Sequence, residues 1–428
     1  MNCVLFREKS CNSKNYLYIC FMILRAYKYR LYPTKEQEVL LAKHFGCARW
    51  IYNYALDKKV KVYQTTKESL SRFAIQRDLP ILKNTKETSW LKEVNSQSLQ
   101  VSLENLDKAF TKFFRDKKGF PKFKSKRNNR QSFSVPQNGI VDFETNTISL
   151  PKFKKPIKCK LHRKFEGKSK TVTISKTPTG KYFVSVLVEV NEELPKLKSI
   201  DESKAVGIDL GIKTFAVLSN GEEIQNPKHL RSALKRLMKQ QRKVSKKIKD
   251  SNNRNKAVRK LAVLHEKVSN RRIDFLHKVT AKLVSEHDTL CLETLKASDM
   301  IKNHKLAQAL SDISIGKFNE ILEYKAKWNG VNLIRIGQFE PSSRMCTCGI
   351  VNRELKLSDR EWVCQSCGEI HDRDLLAANN IKRFAFVKNN TAGIVGFQAC
   401  GDEGLPLSVK QEAHPIASGV GGQFTNIC

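Results

Sequence analysis

The chain has 428 residues, with 78 Lys and Arg against 42 Asp and Glu, so its formal net charge is +36. At roughly 150 residues per domain, that length allows two to four domains, and a 40% hydrophobic share supplies ordinary cores, which excludes a wholly disordered chain. No apolar run approaches the ~20 residues of a membrane helix, which excludes an integral helical membrane protein. A cationic surplus of this size points to a polyanion, nucleic acid foremost; the bland alternative is a solvated surface. Twelve cysteines are too few for a disulfide scaffold. Four of them, Cys346, Cys348, Cys364 and Cys367, fall within 22 residues and read as a metal site in a reducing compartment.

Residues 1–21 read as an extension. The apolar run Tyr16–Leu24 follows Arg7, Lys9 and Lys14 as in a signal peptide, yet Arg25, Lys28 and Arg30 come next and no small-residue cleavage site does. The run is expected to be a buried strand, with Met22 a candidate start. Thr34 and Gln37 form a capping box before a helix marked by Leu40, Phe45, Ala48, Ile51 and Ala55. Leu99, Leu103, Leu106, Phe110 and Phe113 mark the apolar face of a second helix.

Residues 115–130 carry eight Lys and Arg and one acid, with Gly119 and Pro121 expected to stop the helix. Lys117, Lys118, Lys122, Lys124, Lys126 and Arg127 can meet phosphates there, while Phe120 and Phe123 stack on bases; the alternative is a charged loop whose rings fill the core. From Gln131 to Val190 the hydrophobic period is two, which predicts a small β-barrel or sandwich. Residues 193–204 read as a linker.

AVGIDL opens a further domain in which strands alternate with helices, as in an α/β sheet. A helical hairpin over 228–284 closes near Ser251–Asn255. Between Lys228 and Lys260 it carries fourteen basic residues and one acid. Lys239, Arg242 and Lys246 are candidate phosphate contacts on its outer face. After residue 384 the chain is Gly-rich and aperiodic, with seven of its 20 glycines, and reads as a flexible tail.

Three acids stand out by placement. Asp209 ends the strand VGID, Glu293 ends TLCLE, and Asp374 opens a helix just after the cysteine cluster. Strand ends are where α/β folds place their sites. Carboxylates gathered there repel one another unless cations lie between them, and two Mg²⁺ or Mn²⁺ ions ~4 Å apart suit phosphodiester hydrolysis. By spacing alone, ordinary strand-end acids are the alternative. The cysteines read C-x-C-x15-C-x2-C, a zinc knuckle pair whose first half is one residue short, with His371 as a substitute ligand.

Read in order, RAYKYRLYPTKEQ, FGCARWIYNYAL, GFPKFKSK, VGIDLGIKTFAV, CLETLKASDM, PSSRMCTCG, WVCQSCG and HDRDLLAANNI resemble the TnpB (OrfB) family of insertion-sequence proteins from Met22 to Ile381. The resemblance implies an RNA-guided DNA endonuclease akin to compact type V CRISPR effectors, acting with a guide RNA on double-stranded DNA, in the cytoplasm at the nucleoid and with no membrane partner. The implied fold is α/β multidomain: residues 22–33 and 131–192 form a wedge β-barrel and 34–130 a helical recognition domain. Residues 205–384 form an RNase H-like (RuvC) nuclease domain with a zinc-binding insertion at 341–371. The implied nuclease triad is Asp209, Glu293 and Asp374, holding Mg²⁺ or Mn²⁺. The implied ligands of a structural Zn²⁺ are Cys346, Cys348, Cys364 and Cys367. Two positions depart from the family: C-x-C stands for C-x-x-C, and Leu376 stands for an Asn. They suggest weak cleavage, and the other reading is a cleavage-dead, RNA-guided DNA binder. A transposase that joins strands itself fits the zinc insertion less well.

Overall fold

The computed structural model describes residues 6–7, 22–126, 131–295, 300, 304–338, 340–356 and 358–391. The chain divides into two units, residues 1–385 and 386–428, and the first carries every sheet among the described residues.

The first sheet is antiparallel and eight-stranded: β1 (Phe6–Arg7), β2 (Met22–Tyr32), β3 (Gln131–Val135), β4 (Ile140–Asp142), β5 (Thr147–Ser149), β6 (Ile157–Lys160), β7 (Lys168–Lys176) and β8 (Tyr182–Val190). Its order is β3-β7-β8-β2-β6-β5-β4, with β1 beside β2. Strand β2 sits inside the sheet, paired with β8 from Ile23↔Val190 to Leu31↔Tyr182. The period-two pattern drives this, since Val184, Val186 and Val188 are fully buried together with Tyr29 and Leu31 of β2. Phe6–Arg7 pairs with Met22–Ile23, so the segment read as an extension supplies a short edge strand. The rest of it lies outside the described residues.

Between β2 and β3 the chain builds a helical layer: α1 (Lys35–Thr66), α2 (Arg72–Asn84), a 3₁₀ turn (Lys86–Glu93) and α3 (Ser96–Arg115). The capping box forms at Thr34, whose hydroxyl accepts from Gln37 N at 3.3 Å while Gln37 Oε1 accepts from Thr34 N at 3.0 Å. Ile51, Ala55, Leu99, Leu103 and Leu106 form the core between α1 and α3. His44 ties this layer to the sheet. Its ring stacks on Phe133 at 4.8 Å, its Nδ1 bonds Leu40 O at 2.8 Å, and its Nε2 accepts from Asn95 N at 3.3 Å. Burial pushes its pKa down, in keeping with a neutral ring that needs one acceptor nitrogen.

The second sheet holds β9 (Ala205–Leu210), β10 (Thr214–Leu218), β11 (Glu223–Gln225), β12 (Thr289–Glu293) and β13 (Asn332–Ile336), in the order β11-β10-β9-β12-β13. Strands β9, β12 and β13 run parallel; β10 and β11 form an antiparallel meander on β9. The helices are α4 (His229–Ser245), α5 (Asn252–Glu286), α6 (His304–Ile313), α7 (Ile315–Asn329) and α8 (Arg373–Thr391). Phe215 and Ile208 of the sheet pack with Leu276 of α5 and with Phe318, Ile321 and Leu322 of α7. Helix α8 lies over β9 at Gly207, where a Cβ would stand 2.0 Å from Ala378 O. The segment read as a linker is bonded to the sheet's edge: Lys198 N donates to Gly330 O (2.8 Å), and Lys198 O accepts from Asn332 Nδ2 (2.9 Å). Helix α8 continues six residues past 385, because no Gly or Pro interrupts the chain there. The remainder of the expected tail lies outside the described residues.

Helices α4 and α5 form the expected hairpin. Lys228, at the N-cap of α4, offers no capping side chain. The cap comes from α6: the Asp312 carboxylate accepts from Leu230 N (2.9 Å) and Arg231 N (3.3 Å), and pairs with Arg272 at 3.1 Å. Asp312→Ala removes a buried charge and a cap at once. It should lower unfolding free energy by about 2–3 kcal/mol, between the cost of a lost cap and that of a broken buried ion pair. Urea melts measure this, and a loss under 0.5 kcal/mol would show that the hairpin is held elsewhere.

Candidate active site

The register of the second sheet brings two of the three acids together. Ile208 pairs with Leu292 across the parallel β9–β12 ladder, so the next residues, Asp209 and Glu293, project from adjacent strand ends on one face. Asp374 reaches the same place from the first turn of α8. Three features position it. Gly207 lets α8 lie directly on β9. Asp372 caps the helix, accepting from Leu375 N at 2.8 Å. Arg360 donates from one guanidinium nitrogen to both Asp374 oxygens, at 3.1 and 3.2 Å.

The electrostatics report the crowding. Burial, and then the negative charge of Asp374, push the Asp209 carboxyl up to about 6, against the pull of Arg373 and Arg360. Burial, and then Asp209, push Glu293 up to about 7. Both acids bind protons more tightly folded than unfolded, where they titrate at 3.8 and 4.5. Their contribution to stability is therefore full at low pH and lost as pH rises through 4–7. In chelator, the wild-type Tm should fall relative to that of Glu293→Gln between pH 5 and pH 8. Parallel Tm profiles would mean that neither burial nor Asp209 raises the Glu293 carboxyl in the folded protein.

Sequence reading missed Arg360. The signal lay in the ribbon's hairpin: β14 (Glu361–Val363) pairs with β15 (Ile370–Asp372), Glu361 opposite Asp372. One step further along this ladder, Arg360 faces Arg373 and its carbonyl accepts from Arg373 N at 2.8 Å.

The ribbon brings all four cysteine sulfurs within 4.8 Å of one another. Cys346 and Cys367 are 3.4 Å apart, and Cys348 and Cys364 3.7 Å. These are the edge lengths of a tetrahedron whose centre lies ~2.3 Å from each sulfur, so the donor set fits a zinc ion. The short C-x-C pair closes a tighter turn. Gly349 N reaches Cys346 O at 3.0 Å across three residues, whereas Gly368 N reaches Cys364 O at 2.8 Å across four. Both glycines take positive φ, 91° and 74°. Leu376, the other departure, is buried in the ribbon's own small core with Leu355, Trp362, Cys346 and Cys364. Asn380, one turn later, donates to Ser342 O (2.7 Å) and Met345 O (2.6 Å) and binds α8 to the ribbon's base.

Comparison with known proteins finds relatives over most of the chain. The family model described as "Probable transposase" matches residues 185–304, a "Helix-turn-helix domain" matches 22–68, and a "Cas12f1-like, TNB domain" matches 316–381. A Streptomyces pristinaespiralis protein named "Putative RNA-guided DNA endonuclease" is 38% identical over 410 residues, covering 93% of this chain and 98% of its own. This chain belongs to the TnpB (OrfB) family. A second relative, "Putative RNA-guided DNA endonuclease InsQ" of Escherichia coli (strain K12), is 32% identical over 373 residues, 84% of this chain and 91% of its own. Among solved structures, the protein of a Cas12f1–sgRNA–target DNA complex shares the fold, with a TM-score of 0.52 at 14% identity over 84% of this chain and 99% of that one. The fold class is thus the multidomain α/β arrangement expected: an RNase H-like domain with a zinc-ribbon insertion, a helical lobe and a wedge sheet.

In this TnpB-family chain the basic residues singled out from sequence are not equivalent. Helix α3 ends before Gly119: Lys117 takes the left-handed turn (φ 48°), and Lys118 N closes on Lys112 O at 3.2 Å. Phe120 packs edge-on against Phe110 and Phe113, while Phe123 is 60% exposed. Lys124 is pinned, since its N and O both bond the Asn53 amide at 2.8 Å and its ammonium lies over the Tyr52 ring at 3.8 Å. Lys118, Lys122 and Lys126 are exposed, and Arg127 lies outside the described residues. On the hairpin, Lys239 lines a groove of about 750 Å³ with Arg236 and Lys243 of α4 and Lys256, Arg259 and Lys260 of α5. Arg242 and Lys246 do not line it.

Proposed function

We propose that this protein is an RNA-guided DNA endonuclease of a transposable element, which cuts phosphodiesters with divalent cations held by Asp209, Glu293 and Asp374. The observation that carries this reading is that Asp209 and Glu293 stand side by side at the ends of two adjacent central strands, with Asp374, from a distant segment, near enough to Asp209 to raise its pKa. Burial first, and then a neighbouring carboxylate, raise Asp209 and Glu293, and bound cations would offset both costs. Two bound Mg²⁺ ions would supply an activated water and charge stabilisation at the leaving oxygen. The protein's own work is to fix the carboxylates. Strands β9 and β12 hold two of them rigidly. Arg360 and the Asp372 cap hold the third, and Arg360 adds positive charge beside the reacting phosphate. A structural zinc in the cysteine cluster would fix the ribbon that carries Arg360.

In this reading a guide RNA supplies sequence recognition by base pairing, and the protein holds it by charge. The hairpin groove offers six cations, none of them in an ion pair among the described residues. Six phosphate contacts at ~0.7 each predict a log–log salt slope of about −4 for single-stranded RNA. Neutralising three of them (Lys239→Gln, Lys243→Gln, Arg259→Gln) should flatten that slope by about 2. An unchanged slope would leave the groove a solvated face. The function itself is tested by sequencing the RNA that copurifies with the protein and supplying a plasmid with the matching target. Mg²⁺-dependent cutting of that plasmid, and of no unmatched one, is expected. Cutting that ignores the RNA would refute the reading.

A further inference from the structure

Cys346 belongs to two donor groups at once. One is the set of four cysteines; the other is Cys346, Glu369 and His371, whose ligand atoms also lie within 4.8 Å of one another. His371 Nε2 is 3.0 Å from Cys346 Sγ and 3.8 Å from Glu369 Oε2. The His371 ring is 5% exposed, lies on β15 and leans on Trp362 at 4.8 Å. A buried imidazole therefore points a ring nitrogen at a thiol of the cluster. Ligand atoms at ~2.3 Å (sulfur) and ~2.0 Å (nitrogen) from one zinc stand about 3.5 Å apart, so Nε2 is within a small shift of a coordination position.

The four cysteines are unequal. Cys346 and Cys364 are buried, at 0% and 2% exposure, whereas Cys348 and Cys367 are exposed, and of these two only Cys348 sits in the shortened C-x-C turn. Exposed thiolates are the members most open to oxidation or alkylation, and Cys348 is the one of the two whose turn is a residue short. Three thiolates and one imidazole form a complete structural zinc set.

We propose that His371 is a reserve zinc ligand, which takes the place of Cys348 when that thiolate is lost. The proposal rests on the reading that the cysteine cluster holds zinc. It separates the roles of the two short-spaced cysteines: Cys346 is indispensable and Cys348 is replaceable.

The test measures zinc per chain and Co²⁺ spectra on the full-length protein, for the wild type, Cys348→Ser, His371→Ala, the double variant and Cys364→Ser. The wild type and His371→Ala should each hold one zinc. Cys348→Ser should keep one zinc, with affinity lowered about tenfold or less. Its Co²⁺ form should show weaker sulfur-to-metal charge transfer and shifted visible bands, as for three thiolates and one nitrogen. The double variant should lose zinc affinity by a further hundredfold or more, and Cys364→Ser should lose it outright. If Cys348→Ser loses zinc as completely as Cys364→Ser, or if the double variant holds it as well as Cys348→Ser does, the proposal is wrong. A wild type without zinc overturns the cysteine-site reading itself, before any variant is compared. A parallel arm needs no Cys348 variant: limited N-ethylmaleimide, with the adduct at Cys348 verified by mass spectrometry, should release zinc from His371→Ala and not from the wild type. Equal release from both would refute the reserve role.

Discussion

Asp209→Asn should reduce target cleavage on the order of a thousandfold or more, while guide and target affinity stay within about threefold. Asn keeps the size and one oxygen of the side chain and loses the charge that a cation would meet. Asp209 is the acid that links the three, since Asp374 raises its pKa and it raises that of Glu293. The same substitution should stabilise the metal-free fold above pH 7, since Glu293 then has no charged Asp209 beside it. Two opposite readouts follow from one change: cleavage falls, and the melting temperature in chelator rises. Unimpaired cutting would remove Asp209 from the catalytic set. Lost cutting together with a lowered Tm would mean that the variant damages the sheet rather than the chemistry.

Gly207→Ala should also be severe, although it adds only one methyl group and removes no charged side chain. The new Cβ would stand 2.0 Å from Ala378 O, 2.9 Å from Lys382 N and 3.0 Å from Lys382 Cβ. Backbone atoms cannot rotate away, so α8 must lift from β9. Asp374 rides on the first turn of that helix. A displacement near 1 Å at a reacting group costs on the order of a hundredfold in rate. Cleavage should fall by about that factor, and Tm should fall with it, while guide-RNA binding persists. Gly316→Ala is the control, since nothing lies within 4 Å of its added Cβ. Equal activity in the two variants would show that α8 tolerates the shift.

Much of this molecule was legible in its residues, for identifiable reasons. The capping box at Thr34, the α3 face at Leu99, Leu103 and Leu106, and the alternation along β8 are local patterns, and each forms as read. The pairing of β2 with β8 is not local; only the family resemblance joined residues 22–33 to the later strands. The three acids could be picked out by strand ends and motif, yet their convergence depends on a glycine whose value lies in what crosses it. Arg360 was invisible because its partner is set by a two-strand register. Groove membership on the hairpin was also beyond a single helix's periodicity: which cations face inward depends on how α4 and α5 are turned toward each other, so Lys239 lines the groove and Arg242 and Lys246 do not.

The placement of α8 has a consequence for how the protein is made. A ribosome delivers Asp209 early and Glu293 later. Asp374 comes only after the ribbon's hairpin has been synthesised, on the last described helix. The helix that covers Gly207 is thus the closing piece of a sheet whose strands have long since left the exit tunnel. Until it docks, Asp374 is absent from the strand ends and the apolar face around β9 lacks its cover. A nascent or truncated chain that ends before α8 therefore presents the basic hairpin with only two of the three carboxylates.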